Sequence, residues 1–217
     1  MFDINPLAFL YSIVGLAIGL TVHESSHALV ANWLGDSTAR DQGRISLNPI
    51  RHLDPMGTLM MIMSSIMGAG IGWAKPVPVS PWKLRFGGKT GGALVSVAGP
   101  VSNLLLAALC YVVFQQAYAA GVLEANEWIA DLLSVVLIVN VALCFFNLIP
   151  LPPLDGFGVL LGLLPNRLAY GVAKVGQYGP ALLLLLVFFG GSLLSPYFAF
   201  GRRLTLDAFT LVFGGLG

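Results

Sequence analysis

Four apolar stretches of this 217-residue chain are long enough to cross a bilayer as helices, which takes about 20 mostly apolar residues each. They are residues 6–22 (continuing as a helix pattern to about Trp33), 91–119, 128–149 and 179–200. Three shorter apolar stretches, residues 57–73, 157–164 and 204–216, are expected to be re-entrant, interfacial or tilted. The pattern predicts an all-α polytopic membrane protein, a bundle of four to six transmembrane helices, with residues 57–73 as a candidate re-entrant segment.

The composition agrees with this pattern. Hydrophobic residues make up 57% of the chain and charged residues 10%, against about 25% charged in soluble domains, so a soluble enzyme is excluded. The net charge of +1 gives no electrostatic reason to expect nucleic acid, which leaves the lipid bilayer as the expected surrounding. The longest polar stretches, of roughly 20 residues, are too short for an independent soluble domain. We therefore expect a single membrane-embedded domain, residues 1–217, whose oligomeric state the sequence leaves open.

Basic residues suggest the orientation. Seven of the 11 Lys and Arg lie in residues 36–54 and 75–89, which the positive-inside rule places in the cytoplasm. The acidic segment 121–127 fits the outside, which puts the N-terminus outside as well. Arg202 and Arg203 fit poorly, because one more crossing would put them outside. We expect an integral protein of a prokaryotic plasma membrane.

A zinc-binding pattern lies in the first apolar stretch. Residues 23–27 read His-Glu-Ser-Ser-His, and residues four apart share one helix face. His23 and His27 can therefore bind one zinc ion, while Glu24 acts on a bound water. The alternative is a pair of polar histidines at a helix end, although ionisable residues in a membrane segment are costly and favour a functional interpretation. His23 lies about 25 Å along the helix, towards the predicted cytoplasmic side.

Catalytic zinc needs a third protein ligand, and two residues are candidates. Asp155 follows three prolines between two apolar stretches, where the broken helix lets a side chain turn into a cavity. It could equally be the N-cap of the apolar segment that follows. His52 lies in a turn-rich stretch and could reach the zinc or line a water entrance, but an interfacial polar role is the simpler interpretation.

Three motifs together resemble the site-2 protease family of intramembrane zinc metalloproteases (peptidase family M50). They are HESSH at 23–27, the Ala-Gly-Pro-Val-Ser-Asn segment 98–103, and Asn147-x-x-Pro150 with Asp155-Gly156. They occur in the family's order, and the resemblance covers a catalytic core of about residues 7–164. The chain corresponds to a compact form without a PDZ or CBS module.

This resemblance implies one Zn²⁺ per chain, held by His23, His27 and Asp155, with Glu24 as the catalytic base. It also implies regulated cleavage, by metal-activated water, within or near the transmembrane segment of a single-span partner protein. A tetrahedral oxyanion needs a further donor, and Asn147 is our candidate. Asn103 and Asn140 are accessory candidates, although all three amides could instead join helices by hydrogen bonds.

A substrate helix must unwind before it is cut, and an extended peptide can pair with a sheet edge. Residues 43–47 and 76–80 could form such short membrane-associated β segments, with loops as the alternative. The residues that we expect to line the substrate path are Arg44, Ile45, Ser46, Leu47, Val77 and Val79.

Two other functions fit parts of the pattern. A catalytically inert zinc-binding adaptor would not need Glu24. A metal transporter would need several carboxylate and histidine clusters along a path, and the sequence offers one. The intramembrane endopeptidase is therefore the favoured interpretation.

Overall fold

The computed structural model describes residues 6–66 and 73–215. The helices of this part of the chain are α1 (Pro6–Trp33), α2 (Thr38–Asp41), α3 (Pro55–Ile66), α4 (Gly87–Ala119), α5 (Val122–Ala125), α6 (Glu127–Asn147), α7 (Asp155–Leu163), α8 (Asn166–Ala173), α9 (Gly179–Phe189) and α10 (Gly191–Phe213). Short 3₁₀ turns lie at Pro49–Arg51, Pro81–Lys83 and Lys174–Tyr178.

Four segments are long and apolar enough to cross a membrane: Pro6–Trp33, Gly87–Ala119, Glu127–Asn147 and Asn166–Phe189. The first three confirm the predicted spans, and the chain is an integral membrane protein. The fourth prediction, residues 179–200, is wrong in its bounds. The helix breaks at Gly190, followed by Gly191, and glycine is among the poorest helix formers. Arg202 and Arg203 consequently lie inside α10.

Helices α1, α4 and α6 form the centre of the bundle. Small residues let them approach closely, as is common between membrane helices. At Gly19 of α1, a Cβ atom would lie 2.7 Å from Leu143 Cδ1 of α6. Apolar side chains of α4, α6 and α10 also pack in a buried cluster, which includes Ala107, Val136 and Phe209. Close packing of these three helices fixes the frame for the site.

The predicted β segments are wrong for the described residues. Segments 43–47 and 76–80 contain no strand, and the nearby backbone pairing is a single bridge between Leu53 and Ala74. Side chains occupy the backbone groups that a strand would use. Ser46 N and O both bond to Ser25 Oγ, and Ser80 N donates to the Asp36 carboxylate.

The predicted re-entrant segment at 57–73 is not supported. Its first part belongs to the 12-residue helix α3, whose start is capped by Asp54 Oδ1 accepting a hydrogen bond from Gly57 N. Residues 67–72 lie outside the described residues. Of the other short apolar stretches, residues 157–164 mostly fall in α7, and residues 204–213 form the second half of α10.

A buried carboxylate joins the polar loop that follows α1 to the polar segment that precedes α4. Asp36 is fully buried and accepts hydrogen bonds from Thr38 N, the Thr38 hydroxyl and Ser80 N. Lys83 Nζ lies 3.9 Å from Asp36 Oδ1. Burial alone would raise the pKa of Asp36, but these hydrogen bonds and the lysine charge together hold that pKa below its usual value.

Candidate metal centre

Three side chains from two distant parts of the chain converge inside the bundle. His23 and His27 lie one turn apart on α1, and Asp155 is the first residue of α7. The two imidazole Nε2 atoms are 3.0 Å apart. Asp155 Oδ2 lies 3.0 Å from His23 Nε2 and 3.2 Å from His27 Nε2. In the described part of the chain, these three residues form the group that could hold a metal ion.

The proline-rich loop between α6 and α7 delivers Asp155. The loop folds so tightly over the start of α7 that a Cβ atom on Gly156 would lie 2.3 Å from Leu148 O. Asp155 is not the cap of α7, since Leu154 holds that position and Asp155 Oδ2 has no hydrogen-bond partner in the structure. The carboxylate therefore faces the two imidazoles.

Hydrogen bonds place a proton on Nδ1 of both rings. His27 Nδ1 lies 2.7 Å from Val95 O of α4, a carbonyl that can only accept, so His27 Nδ1 carries the proton. The proton on Nδ1 leaves the Nε2 lone pair of the neutral ring directed at the site.

Two hydrogen-bonded asparagines, Asn103 and Asn140, place the proton of His23 on its Nδ1 atom. Asn103 Nδ2 donates to Gly19 O at 3.0 Å and to Asn140 Oδ1 at 2.8 Å. The amide orientation is thereby set, so Asn103 Oδ1 must accept from His23 Nδ1, at 2.7 Å. Asn140 in turn donates to Val136 O. Both asparagines are fully buried on the side of His23 that faces away from the three-residue cluster.

The cluster fits a zinc ion. When both rings are neutral, two nitrogen lone pairs and a carboxylate oxygen face one another at 3.0–3.2 Å. This arrangement is repulsive unless positive charge, from a metal ion or from a proton on a ring, lies among the three atoms. Tetrahedral zinc with ligands at 2.0–2.2 Å separates its ligand atoms by about 3.3 Å. Two histidines and a carboxylate are also a known donor set for catalytic zinc.

Gly99 lets α4 approach the imidazoles, a role that the sequence analysis did not assign. A Cβ atom at this position would lie 2.4 Å from His23 Cε1 and 2.5 Å from His27 Nε2. Glycine is therefore the residue that fits here. A glycine preceding a proline inside an apolar helix was the available signal, but it does not reveal what lies opposite.

The other predicted site residues differ in their surroundings. Glu24 is half-buried, and its carboxylate has no hydrogen bond or ion pair to any described residue. Asn147 ends α6 and donates one amide hydrogen to Leu143 O, which leaves the second free of described partners. Asn103 and Asn140 act on His23 and do not enter the cluster.

His52 lies apart from the ligand cluster. It is 1% exposed, and its Nε2 donates to Ser46 O at 2.6 Å. The same carbonyl accepts from Ser25 Oγ at 3.0 Å, and Ser46 N donates back to Ser25 Oγ at 3.1 Å. His52 therefore helps to hold the loop against the helix that carries Glu24.

The residues predicted to line the substrate path are not all accessible. Arg44 is buried, with its guanidinium bonded to Lys75 O. Ile45 and Leu47 are exposed, Leu47 the more so. Val77 and Val79 are half-buried in an extended segment. The exposed apolar side chains lie on either side of the anchored Ser46.

The chain is similar to curated proteins over most of its length. It is 39% identical over 216 residues to "Putative zinc metalloprotease YwhC" of Bacillus subtilis, covering 96% of this chain and 95% of that protein. It is 33% identical over 208 residues to "Putative zinc metalloprotease Rip2" of Mycobacterium tuberculosis, covering 90% and 74%. A Rip2 of Mycolicibacterium smegmatis is 29% identical over 188 residues, covering 85% and 70%. No family model and no solved structure matches the chain.

Proposed function

The chain belongs to the zinc metalloprotease family that includes YwhC and Rip2, and we propose that it is an intramembrane endopeptidase of the site-2 type. The observation that supports this most is the convergence of His23, His27 and Asp155 within a bundle of apolar helices, with Glu24 unpaired beside them. A soluble protease has no reason to bury its metal site among membrane spans.

In this proposal His23, His27 and Asp155 hold one Zn²⁺ per chain. The bound metal would lower the pKa of a coordinated water and polarise the scissile carbonyl. Glu24 accepts the proton from the attacking water and delivers it to the leaving amine. Asn147, through its free amide hydrogen, donates to the developing oxyanion. Asn103 and Val95 O hold the imidazoles in the tautomer that such a site needs.

The proposed substrate is a single-span membrane protein, unwound locally at the bond that is cut. Ile45 and Leu47 are exposed on either side of Ser46, in the loop that Ser46 anchors to α1, and would contact the unwound segment. The proposed location is a prokaryotic plasma membrane, and the charge placement supports an orientation with the site towards the cytoplasm. Regulated cleavage of this substrate is what the family resemblance implies.

The experiment compares Glu24→Gln with Glu127→Gln, a matched change at the first residue of α6. Both variants and the wild type are purified in nanodiscs with tagged single-span proteins of the same membrane, and products are located by intact mass. The expected result is cleavage within the span by wild type and Glu127→Gln, none by Glu24→Gln, and one zinc per chain in all three. Asp155→Ala should lose the zinc.

Other outcomes favour the alternatives. Stoichiometric zinc with no cleavage of any tested span by the wild type would support a zinc-binding adaptor and reject the proposal. Zinc uptake into proteoliposomes that needs His23 and Asp155 would support a transporter. Cleavage by Glu24→Gln at the wild-type rate would remove Glu24 from the mechanism.

A further inference from the structure

Helix α10 carries three charged residues and is not one of the four candidate spans, but its contacts run along the bundle. Near its start, Tyr197 OH donates to Phe145 O, two residues before the end of α6. Near its end, Gly214 O accepts from Gln115, four residues before the end of α4. These two points are 17 residues apart, about 25 Å along a helix, which is close to the thickness of the hydrocarbon core.

Two opposite charges lie between these points. Arg203 and Asp207 are roughly 9 Å and 15 Å along the helix from Tyr197. Their side chains are 85% and 71% exposed, and Arg203 Nε is 3.8 Å from Asp207 Oδ2. Charged residues at this depth almost always face protein or a water-filled cavity. Arg203 and Asp207 face outward from the bundle.

The residues around Arg203 and Asp207 are apolar and exposed. Phe200, Leu204 and Leu211 are exposed on the same side of α10 and flank the charges with apolar surface. Arg202 is separate, since it borders the groove between α6 and α10. We call Phe200, Arg203, Leu204, Asp207 and Leu211 the outer face of α10. This face carries one positive and one negative charge, spaced four residues apart.

We propose that the outer face of α10 binds the same face of a second copy of this chain. Two copies inserted in the same orientation are related by a two-fold axis along the membrane normal, which makes the interface self-complementary. Arg203 of each copy then faces Asp207 of the other. The offset along the axis is about 6 Å, which an arginine side chain can span. Reciprocal pairing neutralises all four charges out of contact with lipid.

The test is a charge-exchange experiment in vesicles, with self-association measured by energy transfer between labelled C-termini at increasing lipid dilution. The variant Arg203→Asp carries two negative charges on the face, and Asp207→Arg carries two positive charges. Each should associate with itself roughly tenfold or more weakly than the wild type. A mixture of the two variants should associate about as well as the wild type, because opposite faces then meet.

Restoration by mixing cannot come from the pair within one chain, because neither variant contains it. Arg40→Asp and Asp41→Arg are the controls, since that exposed ion pair lies on α2, outside the spans. Wild-type chains that stay monomeric at all dilutions, single variants that associate normally, or a mixture that stays apart would each overturn the proposal. Zinc content and cleavage are read separately, so this outcome is independent of the proposed protease activity.

Discussion

Replacing Asn103 by alanine should weaken zinc binding by about 10- to 100-fold, the usual effect of losing a group that orients a metal ligand. Asn103 makes three buried hydrogen bonds, and alanine removes all three. His23 Nδ1 and Asn140 Oδ1 are then left without a hydrogen-bond partner. The His23 ring can turn, or can move its proton to Nε2, which removes the lone pair that a metal needs. The loss corresponds to about 1.4–2.7 kcal/mol of zinc-binding free energy.

Asn140→Ala separates this effect from a general loss of stability. Asn140 is equally buried and bonds to Asn103 and Val136 O, but it does not touch His23. Each unsatisfied buried group costs about 1–3 kcal/mol, so both variants should unfold at a lower temperature. Only Asn103→Ala should lose most of its zinc affinity.

The measurement is the zinc dissociation constant, obtained by competition with a chromophoric chelator in detergent, together with thermal unfolding of the zinc-free chains. The reasoning is refuted if both variants bind zinc within threefold of the wild type, or if the two lose affinity equally. Equal losses would mean that zinc binding follows stability and that the His23 tautomer is not controlled by Asn103.

Two further predictions concern the frame of the site and its loops. Gly99→Ala should lower zinc affinity at least tenfold, because the new Cβ atom would lie within 2.6 Å of both imidazoles. Gly92→Ala is the control and should leave zinc affinity unchanged, because a Cβ atom there meets nothing within 4 Å. Chelator competition measures the zinc affinity of both variants. Asp36→Asn should destabilise the fold by about 1–3 kcal/mol at neutral pH. Because the folded pKa of Asp36 is lowered, that contribution is present above its unfolded pKa and is lost as the pH falls through the folded pKa. Unfolding temperatures of wild type and variant should therefore begin to converge below about pH 4 and meet below the folded pKa of Asp36, and a gap that does not narrow as the pH falls through this range would contradict the linkage.

The sequence was sufficient for the parts of the fold that repeat a simple pattern. Three spans were predicted closely, because an uninterrupted apolar run of about 20 residues has few other structures available to it. The bounds of the fourth were wrong, because hydropathy carries through Gly190 although the helix does not. The predicted strands were wrong because of contacts between residues that are far apart in the sequence. Side chains of Ser25 and Asp36 bond to the backbone groups of Ser46 and Ser80 that strand pairing would require.

The candidate site likewise has a part that local sequence spacing predicts and a part that depends on the packing of distant segments. His23 and His27 share a helix face by local spacing alone, so their proximity was predictable. That Asp155 joins them depends on a loop fold that no local pattern specifies. The roles of Gly99, Asn103 and Val95 O depend on which face of α4 meets α1, and this becomes visible only when the helices are packed together.

The paired hydrogen bonds between Ser25 and Ser46 bear on where a substrate would be cut. Ser25 directly follows Glu24, so these bonds hold the loop at a constant distance from the proposed base. A peptide lying along Ile45 and Leu47 would be hydrolysed a fixed number of residues from its point of contact. Cleavage would then select position along the unwound segment, and the side chains at the bond itself would matter little.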